Sequence, residues 1–190
     1  MNNDRKRKLE ALLATREVKD EELAEIDRQR ARQQEQLASL NQQISLIQQQ
    51  IARDEHRLRL AAARGHLHIV RELFLEDVNV HAKDFSGMAA VHFASEYGHL
   101  EILQLLCGKG ADIQAKTNQG RTPFHIAINF DRLDAVQLLL SRGANPMQKS
   151  TQGQSPLGLA CKNNRDDMVW CMLRQSPSLV ISELLEESKD

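Results

Sequence analysis

The chain has 190 residues, 27% of them charged and 41% hydrophobic, with a formal net charge of −1. This near-neutral balance gives no footing to a general nucleic-acid surface, and no apolar run reaches the roughly 18 residues that a membrane-spanning helix needs. The composition fits a modest folded domain with something added; aromatics at 4% are few for a single-core globule but enough for a helical array packed with Leu and Ala.

The N-terminus, Met1 to Leu9, is charged and is followed by no apolar stretch, so it does not read as a secretory signal. Within it, Arg5-Lys6-Arg7-Lys8 is flanked by Asp4 and Glu10 and is read as a solvated helix end. Residues 4–63 contain no Gly and no Pro and are rich in the strong helix formers Glu, Gln, Arg, Ala and Leu. Their apolar residues fall on a seven-residue frame. Positions a are Leu9, Arg16, Leu23, Arg30, Leu37, Ile44, Ile51 and Leu58; positions d are Leu12, Lys19, Ile26, Gln33, Leu40, Ile47 and Asp54. Ten of these fifteen are Leu or Ile, which predicts a coiled coil over residues 4–57. A lone helix would leave this seam in water; with no turn signal to fold it back, the expected partner is another copy of the chain. Strand number and direction stay open, although in a parallel dimer Glu22 at g would face Asp27 at e, a repulsive pair.

From residue 58 onward the sequence repeats. Gly87 to Ala94 reads Gly-Met-Ala-Ala-Val-His-Phe-Ala, Gly120 to Ala127 reads Gly-Arg-Thr-Pro-Phe-His-Ile-Ala, and Gly153 to Ala160 reads Gly-Gln-Ser-Pro-Leu-Gly-Leu-Ala, each 33 residues after the last. A second tract keeps step: Gly65-His66-Leu67, Gly98-His99-Leu100, Asp131-Arg132-Leu133 and Asn164-Arg165-Asp166. A fixed period of this length marks a stacked-repeat architecture. Two apolar columns run at the same interval, Leu73, Leu106, Leu139, Met172 and Val70, Leu103, Val136, Val169, as stacking units require. Gly65, Gly110 and Gly143 are placed to end helices in the left-handed conformation.

The tract Thr122-Pro123-Phe124-His125-Ile126-Ala127 resembles the Thr-Pro-Leu-His-x-Ala motif of ankyrin repeats, whose period is the same. The resemblance covers roughly residues 55–178 and implies an all-α solenoid of about four helix-turn-helix units, 58–86, 87–119, 120–152 and 153–178. The first lacks the front motif, with Arg57 and Arg59 standing where Pro and His would be. In the fourth, Gly158 replaces the motif His and Asp166 a column Leu, as suits a terminal unit. Residues 179–190 are expected to form a closing helix or an acidic tail. Trp170 stands in a column otherwise filled by Arg71, Gln104 and Gln137; the expectation is that Leu179, Ile181, Leu184 and Leu185 cover it, the other reading being a binding residue. The resemblance implies protein binding without catalytic residues.

Candidate chemistry is thin. His92 and His125 hold the motif position and His66 and His99 recur in the second tract. Repetition at the structural period points to one local role repeated, which in the family is hydrogen bonding to backbone at turns, rather than to converging zinc ligands. The three cysteines, Cys107, Cys161 and Cys171, have no metal-like spacing and fall on predicted helices; Cys107 and Cys171, in columns filled by Leu in neighbouring units, are read as small apolar core residues in a reducing compartment, the cytoplasm. No Gly-rich phosphate loop or nucleophile elbow surrounds them. No cofactor, metal or catalytic residue is expected.

The binding surface is expected on the concave face, at the ends of the first helices: Arg64, Glu96 with Tyr97, Asn129 with Phe130, and Lys162 with Asn163, extended by Phe85 on a loop tip. The adjacent aromatics would form its hot spot. The function expected is a non-enzymatic adaptor, oligomeric through the coiled coil and bound to a partner protein. The alternatives are a regulatory or targeting subunit of an enzyme complex, or a secreted effector in a host cytoplasm: the tail acids Glu183, Glu186 and Glu187 are similar to C-terminal signals of type IV secretion effectors.

Overall fold

The computed structural model describes residues 2–175, with the side chains of residues 6–8, 13 and 15–175. The seam side chains of Leu9 and Leu12, the closing segment 179–190 and its cover over Trp170 lie outside the described residues; Trp170 itself is 66% exposed. The described residues form eight helices and no strand: α1 (Asn2–Arg64), α2 (Leu67–Leu73), α3 (Ala90–Tyr97), α4 (Leu100–Gly108), α5 (Pro123–Asn129), α6 (Leu133–Ser141), α7 (Pro156–Lys162) and α8 (Asp166–Gln175). They divide into two units, Met1–Gln50 and Ile51–Asp190.

The first unit is one helix, uninterrupted because nothing in it breaks the backbone hydrogen-bond ladder. Leu23, Ile26, Leu37, Leu40, Ile44 and Ile47 of the seam are all exposed, as are Leu13, Val18 and Leu46 off it. Arg16 pairs with Asp20 and Arg28 with Glu25 along the surface, contacts that each add at most a few tenths of a kcal/mol.

In the second unit, helices pair as α3 with α4, α5 with α6 and α7 with α8; the first helices α3, α5 and α7 stack in one row and the second helices α2, α4, α6 and α8 in another. The last turns of α1 supply the first helix of the first pair. Their Leu58 starts a buried column that continues through Val91, Phe124 and Leu157 at 33-residue steps, and Ala61 starts another through Ala94, Ala127 and Ala160. Leu58 therefore corrects the predicted seam. The heptad frame and the 33-residue frame both claim this residue, and at 1% exposure it sits in the repeat core with no face left for a coiled-coil partner. The small Ala column lets first helices approach closely, while Leu, Val and Met fill the space between the rows.

The turns obey the same period, and this explains the residues that break it. Gly65, Gly98, Asp131 and Asn164 occupy one position between first and second helices, all with φ between 54° and 76°. Asp77, Gly110 and Gly143 occupy another, after the second helices, with φ between 53° and 86°. Where Gly is missing, the chain uses Asp or Asn, the residues that best tolerate the left-handed region. A third column, Gly87 and Gly120, has a further reason to be Gly. A Cβ on Gly87 would lie 2.8 Å from the amide nitrogen of Asn118, and one on Gly120 would lie 2.7 Å from that of Thr151. Successive loop tips are tied at these points, Asn118 N–H donating to Ser86 O and Thr151 N–H to Gln119 O.

Candidate protein-interaction groove

Each loop that precedes a first helix is a tight turn built by a short polar side chain. Asp84 Oδ1 accepts from the N–H groups of Ser86 and Met88; 33 residues on, Thr117 Oγ1 accepts from Arg121 N–H, and Ser150 Oγ then accepts from Gln152 N–H. A second set of Asx turns, at Asn79, Asp112 and Asn145, fixes the other arm of each loop. The loops thus project as rigid fingers beside the first helices.

Buried histidines bolt the fingers to the helices. Ala89 N–H donates to His92 Nδ1, so the proton resides on Nε2, which donates to Ala115 O at 3.0 Å in the next unit. His125 repeats the arrangement: its Nδ1 accepts from Thr122, which caps α5, and its Nε2 donates to Gln154 O at 3.1 Å. Burial pushes the His92 imidazole down to about 4, with nearby Lys83 acting in the same direction, and burial lowers His125 as well. Both rings are therefore neutral fasteners. The first unit, lacking the motif His, uses Arg59, whose Nη1 donates to Ala82 O, the carbonyl 33 residues before Ala115. The fourth unit has Gly158 in this place and keeps only the Ser155 cap.

A second joint lies at the far ends of the first helices. His99 Nε2 donates to Ala63 O, and Arg132 Nε donates to Glu96 O, each reaching 36 residues back. Arg165 instead pairs with Asp131 at 2.8 Å.

The predicted binding residues all lie at or beside the ends of the first helices, save Phe85 on its finger tip. Arg64, Asn129 and Lys162 are exposed, while Glu96 and Asn163 are half-buried. One groove, of about 440 Å³, runs between the finger of Phe85, Ser86 and Met88 and that of Thr117 to Gln119 and Arg121, over a floor of Glu96, Ile126 and Phe130. It gathers Phe85, Glu96 and Phe130 from the predicted set and none of the other five. Tyr97, placed beside Phe130 by its column, is 48% exposed and stacks on His99 instead, ring centroids 6.3 Å apart. Met88 and Arg121 were not foreseen, although they follow the motif glycines Gly87 and Gly120 and so share one column. Phe85 is 94% and Phe130 44% exposed, so the groove presents two aromatic rings to solvent, one on a finger and one on the floor. The lining also holds one cation, Arg121, and one acid, Glu96, whose carboxyl burial raises and Arg132 partly restores.

Among the described residues no group of three or more His, Cys, Asp or Glu is placed to hold a metal ion, and no helix is long and apolar enough to cross a membrane. Cys107, Cys161 and Cys171 are each half-buried. Burial raises the Cys107 thiol, which opposes the thiolate that nucleophilic chemistry needs.

Two rows of short helices with projecting fingers define a helical-repeat interaction module. The family is that of the ankyrin repeats: residues 58–150 match its model in three copies, and this region of the chain is an ankyrin-repeat domain. The helix pair α7–α8 follows the matched span. Comparison with curated proteins gave no match. Ankyrin repeats mediate protein–protein interaction and are generally non-enzymatic.

Proposed function

We propose that this chain is a non-enzymatic adaptor. Its repeats hold a partner protein over the first-helix ends and finger tips, and its α1 joins copies of the chain through the Leu/Ile seam. The observation that carries the reading is the groove between Phe85 and Phe130, where two exposed aromatic rings meet a rigid, hydrogen-bonded scaffold. Aromatics in such a setting offer large area at small cost in side-chain entropy. Joining copies raises apparent affinity for a partner that presents several sites, without any new contact.

The test is a parallel affinity purification with the intact chain and with a Phe85→Ala/Phe130→Ala variant as baits, quantified by mass spectrometry. A protein partner is expected that the intact chain enriches and the variant, equally folded, loses. Equal enrichment by both baits would remove the groove from the account. Self-association is tested separately by sedimentation equilibrium, where the intact chain is expected to exceed the 21.6 kDa of one chain and Ile44→Asp to return to it.

A further inference from the structure

The seam of α1 carries a direction in its charges. Residues 16–35 contain Arg16, Lys19 and Arg30 on the seam and Asp20, Glu22 and Asp27 beside it, whereas residues 36–52 contain no Asp, Glu, Lys, Arg or His at all. The helix is therefore charged along its first half and neutral along the next, with apolar seam residues exposed in both.

We propose that two copies of α1 pair antiparallel, with Leu23 of each copy facing Leu40 of the other. The inference rests on the self-association reading above and adds its direction and register. In a parallel pair each seam residue meets itself. Arg16, Lys19 and Arg30 would each face an identical cation, and Glu22 would face Asp27 on both sides. These separations are shorter than the screening length of about 8 Å at physiological salt, so counter-ions do not remove the repulsion. Running the second copy the other way removes every one of those encounters. Ile26 then meets Leu37, and Arg30 meets the amide of Gln33, which can accept from the guanidinium. Lys19 and Arg16 lie across Ile44 and Ile47, their alkyl stems on the isoleucines and their charged heads turned outward; Arg16 already reaches Asp20 of its own helix, 3.8 Å away. At the flanks Asp20 faces Asn41, Glu22 faces Gln43 and Asp27 faces Gln34. The arrangement gives up some purely apolar layers and in exchange has no like-charge contact among residues 16–47. Like charges across a seam choose against the wrong partner orientation more strongly than apolar contacts, which are non-directional, choose for the right one.

Cysteine cross-linking of the full-length chain tests this, with the wild-type protein oxidised alongside as the baseline for Cys107, Cys161 and Cys171. Sedimentation equilibrium comes first: a monomer would overturn the self-association reading, and this inference with it. Given a dimer, Leu23→Cys alone and Leu40→Cys alone are expected to give no covalent dimer above the wild-type baseline. Their equimolar mixture, after exchange of subunits, is expected to give one, rising toward the limit set by random exchange. Ile26→Cys mixed with Leu37→Cys is expected to do the same. Efficient cross-linking of either single variant with itself would show the parallel pair, and a dimer by mass with no cross-link in the mixtures would show another register; either result overturns the inference while leaving self-association intact.

Discussion

His92 Nε2 donates a hydrogen bond to the carbonyl of Ala115, 3.0 Å away, across the boundary between two successive repeats. That bond joins a helix of one unit to the finger of the next, and the groove lies between such fingers. The shape of the groove is thus held by buried imidazoles that are neutral.

Stability should accordingly depend on pH through His92. Its folded value of about 4 lies below the ordinary 6.5, so between these values the unfolded chain binds the extra proton. The contribution is complete above pH 6.5 and is lost as pH falls toward 4, amounting to roughly 3 kcal/mol across that window at about 1.4 kcal/mol per pKa unit. Thermal unfolding of wild type and His92→Gln from pH 7.5 to pH 4 isolates this histidine from the carboxylates that both proteins share. The gap between them is expected to narrow with acid; a constant gap would remove the linkage.

His125→Ala leaves Gln154 O without its buried donor and Thr122 without its acceptor. A loss of about 1–3 kcal/mol in denaturant unfolding is expected. Chelator added to the wild-type protein should leave its melting temperature unchanged, since the ring's partners are a carbonyl and a threonine; a fall would point to a metal.

The left-handed columns make a paired prediction. Asp77→Gly relieves a φ of 53° and should raise stability by up to about 1 kcal/mol. Gly120→Ala meets both a φ of 69° and the Thr151 amide, so it should cost more than the roughly 1–2 kcal/mol of the left-handed conformation alone. Urea midpoints decide both, and equal effects of the two changes would contradict the assignment.

Much of this fold is written in the 33-residue step. The columns through Leu73 and Val70, the turn glycines and the recurrence of the motif histidines are all readable there, because each unit buries its face on the next and needs the same residue in the same place; what those histidines do comes from the ankyrin resemblance. Asp77, Asp131 and Asn164 were equally readable as left-handed residues, since they fall in register with glycines. What escaped was competition between frames and between neighbours. Leu58 satisfies both the heptad and the repeat, and only packing shows which holds it. Tyr97 and Phe130 share a column, yet one ring turns onto His99 while the other lines the groove floor, a choice set by the local partner rather than by spacing. Arg59, standing in for a missing histidine, is invisible to a motif because it reaches the same carbonyl with different chemistry.

The central claim, that the repeats bind a partner protein at the Phe85–Phe130 groove, is tested most directly by titrating that partner, once captured, against four proteins: wild type, Phe85→Ala, Phe130→Ala and Tyr97→Ala. The account predicts that Phe85→Ala and Phe130→Ala each weaken binding by about 2 kcal/mol or more, with Phe85→Ala leaving thermal stability within about 0.5 kcal/mol as an exposed change does, and that Tyr97→Ala, outside the groove, weakens binding less. Unchanged affinity in both Phe variants would contradict it.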